Sequence, residues 1–145
     1  MGSVNNPFEG NSLGRVASKS ITYVAGTTGA IATVAIFTVT GTVAVRIFGV
    51  CTTALTSGGV ATIEVGVTGS TAILIALSTA TDIIANEIWV DATPTLLVDA
   101  VPAAVVIGGG LDINQKITDA TITGGVMVYY CLWEPLSAGA TVVAA

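Results

Sequence analysis

From Ile21 to the end of the chain, short β-branched runs alternate with Gly, Ser, Asn and Pro at roughly the 8–12-residue spacing of an all-β sandwich or barrel. The clearest run covers residues 42–51. Val43, Val45, Ile47 and Cys51 fall on one face of it and Ala44, Arg46, Phe48 and Val50 on the other, the period-2 alternation of a strand. A loop is expected over 52–59. In the next run, 60–68, Ile63, Val65 and Val67 share a face while Thr62, Glu64 and Gly66 lie opposite, as on a half-buried antiparallel strand. A hairpin joining the two runs would set Arg46 near-opposite Glu64, a cross-strand pair worth ~0.2–1 kcal/mol. Further strands are predicted at 30–40, 71–77, 87–91, 95–99, 103–107, 111–117 and 125–133. Residues 126–133 are apolar on both faces and belong in the centre of a sheet or under a neighbouring subunit. Gly58-Gly59, Gly108-Gly109-Gly110 and Gly124-Gly125 mark turns, and Pro94, Pro102 and Pro135 fall at strand ends, where a missing N–H costs least.

Residues 1–20 lack apolar periodicity and carry Glu9, Arg15 and Lys19 among Asn, Gly, Ser and Pro, which reads as an extended arm. The expected organisation is an N-terminal arm, 1–20, followed by one β-sandwich domain, 21–145. A chain of 145 residues is long enough to bury a single core of this kind.

Composition changes the picture in two ways. Hydrophobic residues make up 52% of the chain and charged ones 9%, against roughly 25% charged in ordinary soluble proteins, and the mean hydropathy of +0.88 raises the question of a membrane. The 26 uncharged residues from Ser20 to Val45 have the length of a spanning helix. They are, however, rich in Thr, Gly, Val and Ile and contain no Leu, which favours strands, and no Trp or Lys/Arg cluster anchors the ends. The eight aromatic residues are too scattered to form the girdles of a membrane β-barrel. The start of the chain has no basic region followed by an apolar one, so a secretory signal is not expected.

Charge and chemistry narrow the function classes. A net charge of −5 gives nucleic acid no electrostatic footprint. The absence of His removes the commonest general base and metal ligand, so an enzyme is not expected, and neither is a cofactor. Cys51 and Cys131 sit inside β-runs and read as small buried hydrophobes, with a disulfide left open if their strands adjoin. Asp82, Glu87, Asp91 and Asp99, with Asn86 among them, could offer oxygen ligands to Ca²⁺, but the spacing fits no EF-hand loop. Carboxylates solvating the loops at one end of a sandwich are the favoured reading of them, as of Asp112 with Asn114 and of Asp119. The run Gly66-Val-Thr-Gly69-Ser-Thr lacks the Lys of a phosphate loop and reads as a turn. Trp89 and Trp133 flank strand ends and suit either a core or an interface.

Two stretches, Ala80-Thr-Asp-Ile-Ile-Ala-Asn-Glu-Ile-Trp-Val-Asp-Ala-Thr-Pro94 and Tyr129-Tyr-Cys-Leu-Trp-Glu-Pro-Leu-Ser-Ala-Gly139, resemble a group of small β-rich virion structural proteins of tailed bacteriophages. The resemblance covers most of the chain from about Ile21. It implies a jelly-roll-like antiparallel β-sandwich that decorates or cements the outer capsid surface, commonly as a homotrimer, with the major capsid protein as partner and synthesis in the bacterial cytoplasm. A head-fibre or tail component that binds a host-surface glycan, for example through Trp89, is the alternative it leaves open. No catalytic motif comes with it. A weakly charged sandwich with double-faced apolar strands gains cover by oligomerising, and Trp89, Tyr130 and Trp133 are the expected interface residues. In the arm, Phe8, Arg15 and Lys19 are the expected capsid contacts, the two cations suiting an acidic lattice. The C-terminal segment 136–145 is expected to add a strand to another subunit.

Overall fold

The computed structural model describes residues 14–145. Eleven strands are formed there: β1 (Arg15–Thr22), β2 (Thr33–Thr40), β3 (Val43–Ser57), β4 (Thr62–Val67), β5 (Ser70–Thr79), β6 (Glu87–Trp89), β7 (Thr95–Leu96), β8 (Val105–Ile107), β9 (Ile113–Thr118), β10 (Ile122–Pro135) and β11 (Thr141–Ala144). A 3-10 turn, Ala80–Asp82, follows β5.

The pairing has a simple logic. β1 pairs with β10, β2 with β9, β3 with β8 and β4 with β5, all antiparallel. These four pairs make one long antiparallel ribbon that is rolled up by the further pairings β10 with β3 and β9 with β4. Rolling a ribbon in this way deals successive strands to opposite sheets. One sheet has the order β1-β10-β3-β6-β7 with β8 also on β3, and the other the order β11-β2-β9-β4-β5. The result is a two-sheet jelly roll, an all-β antiparallel sandwich. β6 and β7 are an insertion between β5 and β8, and β6 extends along β3 at Gly49 and Val50.

The alternation expected in residues 42–51 is present: Val43, Val45, Ile47 and Cys51 are buried between the sheets, while Arg46, Phe48 and Val50 face outward and are half-buried. β10 lies between β1 and β3, which is why its sequence is apolar on both faces. Its inward residues, Met127, Tyr129, Cys131 and Trp133, join the core. The 26-residue uncharged stretch is divided among β1, a turn, β2 and the start of β3. Among the described residues no helix is long and apolar enough to cross a membrane.

Several expectations are corrected. The sandwich begins at Arg15 rather than Ile21, because 15–22 pair residue by residue with 126–133 of β10. Residues 52–57 continue β3 instead of forming a loop, and the turn is confined to the Gly58-Gly59 region. Runs 42–51 and 60–68 are not a hairpin, since β3 and β4 lie in different sheets. Glu64 therefore faces Lys116 of β9, at 3.6 Å, and not Arg46, which stands opposite Leu132. Gly124-Gly125 is not a turn but a bulged section of β10, where the register against β3 shifts. β11 pairs with β2 of its own chain, so the C-terminal segment forms the edge strand of its own sheet.

Candidate interaction surface

The outward face of the six-stranded sheet is set by the strand alternation just described. In register across β1, β10 and β3 lie Val16, Leu132 and Arg46, then Ser18, Tyr130 and Phe48, then Ser20, Val128 and Val50, with Ile88 of β6 continuing the last row. Phe48 and Tyr130 stack with ring centroids 5.5 Å apart. Arg46 contributes a cation with no carboxylate within ion-pair range among the described residues, and its Nε is buried without a hydrogen-bond partner.

Beside this face rises the connection from β7 to β8. Its side chains are apolar and largely in solvent: Leu97 is 67% exposed, Val98 76%, Val101 49% and Val106, on β8, 64%. The backbone holds them there at a cost. Leu97 has φ +67°, a left-handed conformation that a branched, bulky side chain rarely adopts. The Val98 N–H donates to the Leu96 carbonyl at 2.8 Å and the Leu97 N–H to the Asn86 carbonyl at 3.0 Å, closing a three-residue turn around Leu97. Asp99 accepts the Ala100 N–H at 2.7 Å. Between this connection and the sheet lies a half-open pocket of about 140 Å³ lined by Phe48, Ile88, Val90, Asp99, Ala100 and Val101. Leu97, Val98, Val101 and Val106 thus gather exposed apolar side chains near one edge of the six-stranded sheet.

The residues singled out from the sequence are dispersed. Phe8 lies outside the described residues. Arg15 sits over the Trp133 ring, 5.4 Å from its centroid, and the Lys19 ammonium donates to the Ala145 carbonyl, so both cations are engaged within the chain. Trp89 is fully buried and donates its indole N–H to Ser78 Oγ at 2.7 Å, which places it in the core and not at an interface. Trp133 is 8% exposed beneath Arg15. Of the three expected interface residues, only Tyr130 stands on the outward face. The Leu97–Val101 connection was missed because an apolar run reads as a strand, although Pro94 and Pro102 on either side are the signal that it is not one.

The groups that could carry chemistry are occupied locally. Glu87 accepts the Ile84 N–H at 3.0 Å, Asp91 the Thr93 N–H at 2.8 Å and Asp112 the Val39 N–H at 3.0 Å. Among the described residues no cluster of three potential metal-ligating side chains is found. Cys51 faces Met127 and Cys131 faces Ile47 across the β3–β10 pair, and both thiols are free. Burial raises the pKa of each, that of Cys131 from 9.0 to about 12, so neither is a thiolate nucleophile at neutral pH. The sign for stability follows. A buried acid whose pKa is raised on folding favours the native state fully below its unfolded value, and that contribution is lost as pH climbs through the folded value. The urea midpoint is expected to hold near neutrality and to fall between pH 9.0 and about 12, less steeply in Cys131→Ala. A flat profile to about pH 11 would contradict this.

No family model, curated protein or solved structure matches the chain.

Proposed function

We propose that this chain is a structural protein of the tailed-phage virion, a capsid decoration or cement protein that works as a homo-oligomer on the outer capsid surface. The observation that carries this reading is the half-buried outward face of the six-stranded sheet together with the connection beside it, whose Leu97, Val98 and Val101 are exposed and whose backbone is strained at Leu97. Strain persists where the surrounding structure enforces it, and its usual locations are contact and binding sites. The jelly roll is shared by many capsid proteins and also by lectins and cupins, so the fold supports the reading by analogy and the surface supports it by physics. A fibre protein that reads glycans through Trp89 is disfavoured, since that indole is inside the sandwich.

The mechanism is adhesive. Copies of the chain bury this face against one another, and the assembled oligomer then grips several major-capsid subunits at once. Each contact is modest, and linking them raises overall avidity by ~10²–10⁴. Binding to the assembled lattice alone shifts the equilibrium toward the mature shell.

The test is co-sedimentation with capsids assembled without the chain. The wild-type protein is expected to saturate the shell, and Leu97→Asp/Val101→Asp to bind ~100-fold more weakly with an unchanged urea midpoint. Equal occupancy by the two proteins, or no binding by either, would overturn the proposal.

A further inference from the structure

Arg46 and Asp99 carry opposite charges on the outward side of the six-stranded sheet, and neither is paired among the described residues. Arg46 stands on β3 opposite Leu132 of β10 and two residues before Phe48. Its Nε is enclosed without a partner, whereas the two terminal nitrogens, also without a hydrogen bond among the described residues, are open to solvent. Glu134, the diagonal neighbour of Arg46 on β10, stays outside ion-pair range. Arg15 and Lys19 lie on the inward side of β1, opposite the core residues Trp133 and Tyr129, and Lys116 belongs to the other sheet. Among the described residues Arg46 is therefore the one cation of this outward face.

Asp99 lines the pocket that Phe48, Ile88, Val90, Ala100 and Val101 otherwise make apolar. Its Oδ1 accepts the Ala100 N–H at 2.7 Å. Oδ2 has no partner among the described residues and is open to solvent. Because Phe48 is both a wall of this pocket and the next outward residue of β3 after Arg46, the cation sits about 7 Å along the strand from that wall.

These two charges limit what can cover the face. An uncharged partner would bury both without a counterion, and a buried charge left unpaired is strongly destabilising. A partner of a single sign would satisfy one group and repel the other. A second copy of this chain brings both the missing cation and the missing carboxylate. We infer, on the footing of the self-association proposed above, that Arg46 of one copy pairs with Asp99 of the next, their terminal nitrogens and Oδ2 in contact at the mouth of the pocket. Both groups lie on one face of one subunit, so a rotation axis beside the pocket repeats the contact in every copy. The apolar walls exclude water around the pair, and the charges fix the register in which two copies meet.

The test is sedimentation equilibrium of Arg46→Glu, Asp99→Arg and the double variant beside the wild-type chain, with circular dichroism confirming that each folds. A single reversal sets like charges against each other and is expected to weaken self-association at least about tenfold. The double variant is expected to return to within about threefold of wild type. An equal mixture of the two single variants is expected to assemble as well, since each then meets the charge it lacks, and a pair formed within one chain gives no such rescue. Single reversals that assemble like wild type, or a mixture as weak as its components, would overturn the pairing and leave self-association standing. A wild-type chain that stays monomeric at every concentration would overturn both.

Discussion

Trp89→Ala is expected to destabilise the sandwich by ~3–5 kcal/mol, the largest loss from any single truncation in the chain. Trp89 is the largest of the fully buried side chains. Its ring lies 6.3 Å from that of Tyr129, tilted by 55°, and it packs over Gly49 of the strand opposite, where a Cβ would lie 3.5 Å from the indole and 2.6 Å from Met127 Sδ. Removing the indole leaves a cavity that strands paired on both sides cannot collapse to fill. Trp89→Phe retains most of the apolar area and forfeits the N–H bond to Ser78, for ~1–2 kcal/mol. Urea unfolding followed by circular dichroism separates the two, with the midpoint moving and the slope unchanged. Near-wild-type stability of Trp89→Ala would mean that the indole is not in the core.

The second large effect is expected at Gly66, which has the appearance of a phosphate-loop glycine and serves a different need. In the β4–β5 hairpin the register shifts twice, and the returning strand passes so close that a Cβ on Gly66 would lie 2.2 Å from the Ser70 carbonyl oxygen and 2.5 Å from the Thr71 carbonyl carbon. Those are backbone atoms and cannot swing aside. Gly66→Ala is expected to cost ~3 kcal/mol. Gly69, at φ +89° with nothing near its missing Cβ, pays only for the left-handed backbone, and Gly69→Ala is expected to cost ~1–2 kcal/mol. Thermal melts of the two variants check the order, and a milder effect at Gly66 than at Gly69 would contradict the close approach.

Local alternation was legible wherever one face of a strand is buried and the other wet, as in β3, where the inward and outward sets are those read from the sequence. Partnership was not. Strands adjacent in sequence usually pair, yet a jelly roll sends β3 and β4 to opposite sheets and brings Glu64 to Lys116, 52 positions away. No local pattern records that choice. The C-terminal Val142 looked available for another subunit because β2, its partner, is about a hundred residues earlier. For the surface, Phe48 and Tyr130 were legible as outward positions, whereas Leu97 was hidden in an apolar run whose exposure depends on a turn that no leucine favours. Gln115 left a clear trace. A polar residue in the buried register between two isoleucines calls for partners across the core, and the hydroxyls of Tyr23 and Tyr129 supply them to its side-chain oxygen.

The central claim is that the outward face of the six-stranded sheet holds copies of this chain together. Light scattering of the purified protein in detergent-free buffer, beside Leu97→Asp/Val101→Asp, tests it most directly. The expected result is a wild-type mass near three times 14.4 kDa and a monomer for the variant, with the same circular dichroism spectrum. A wild-type protein that remains monomeric at every concentration, or an oligomer indifferent to the two aspartates, would contradict it.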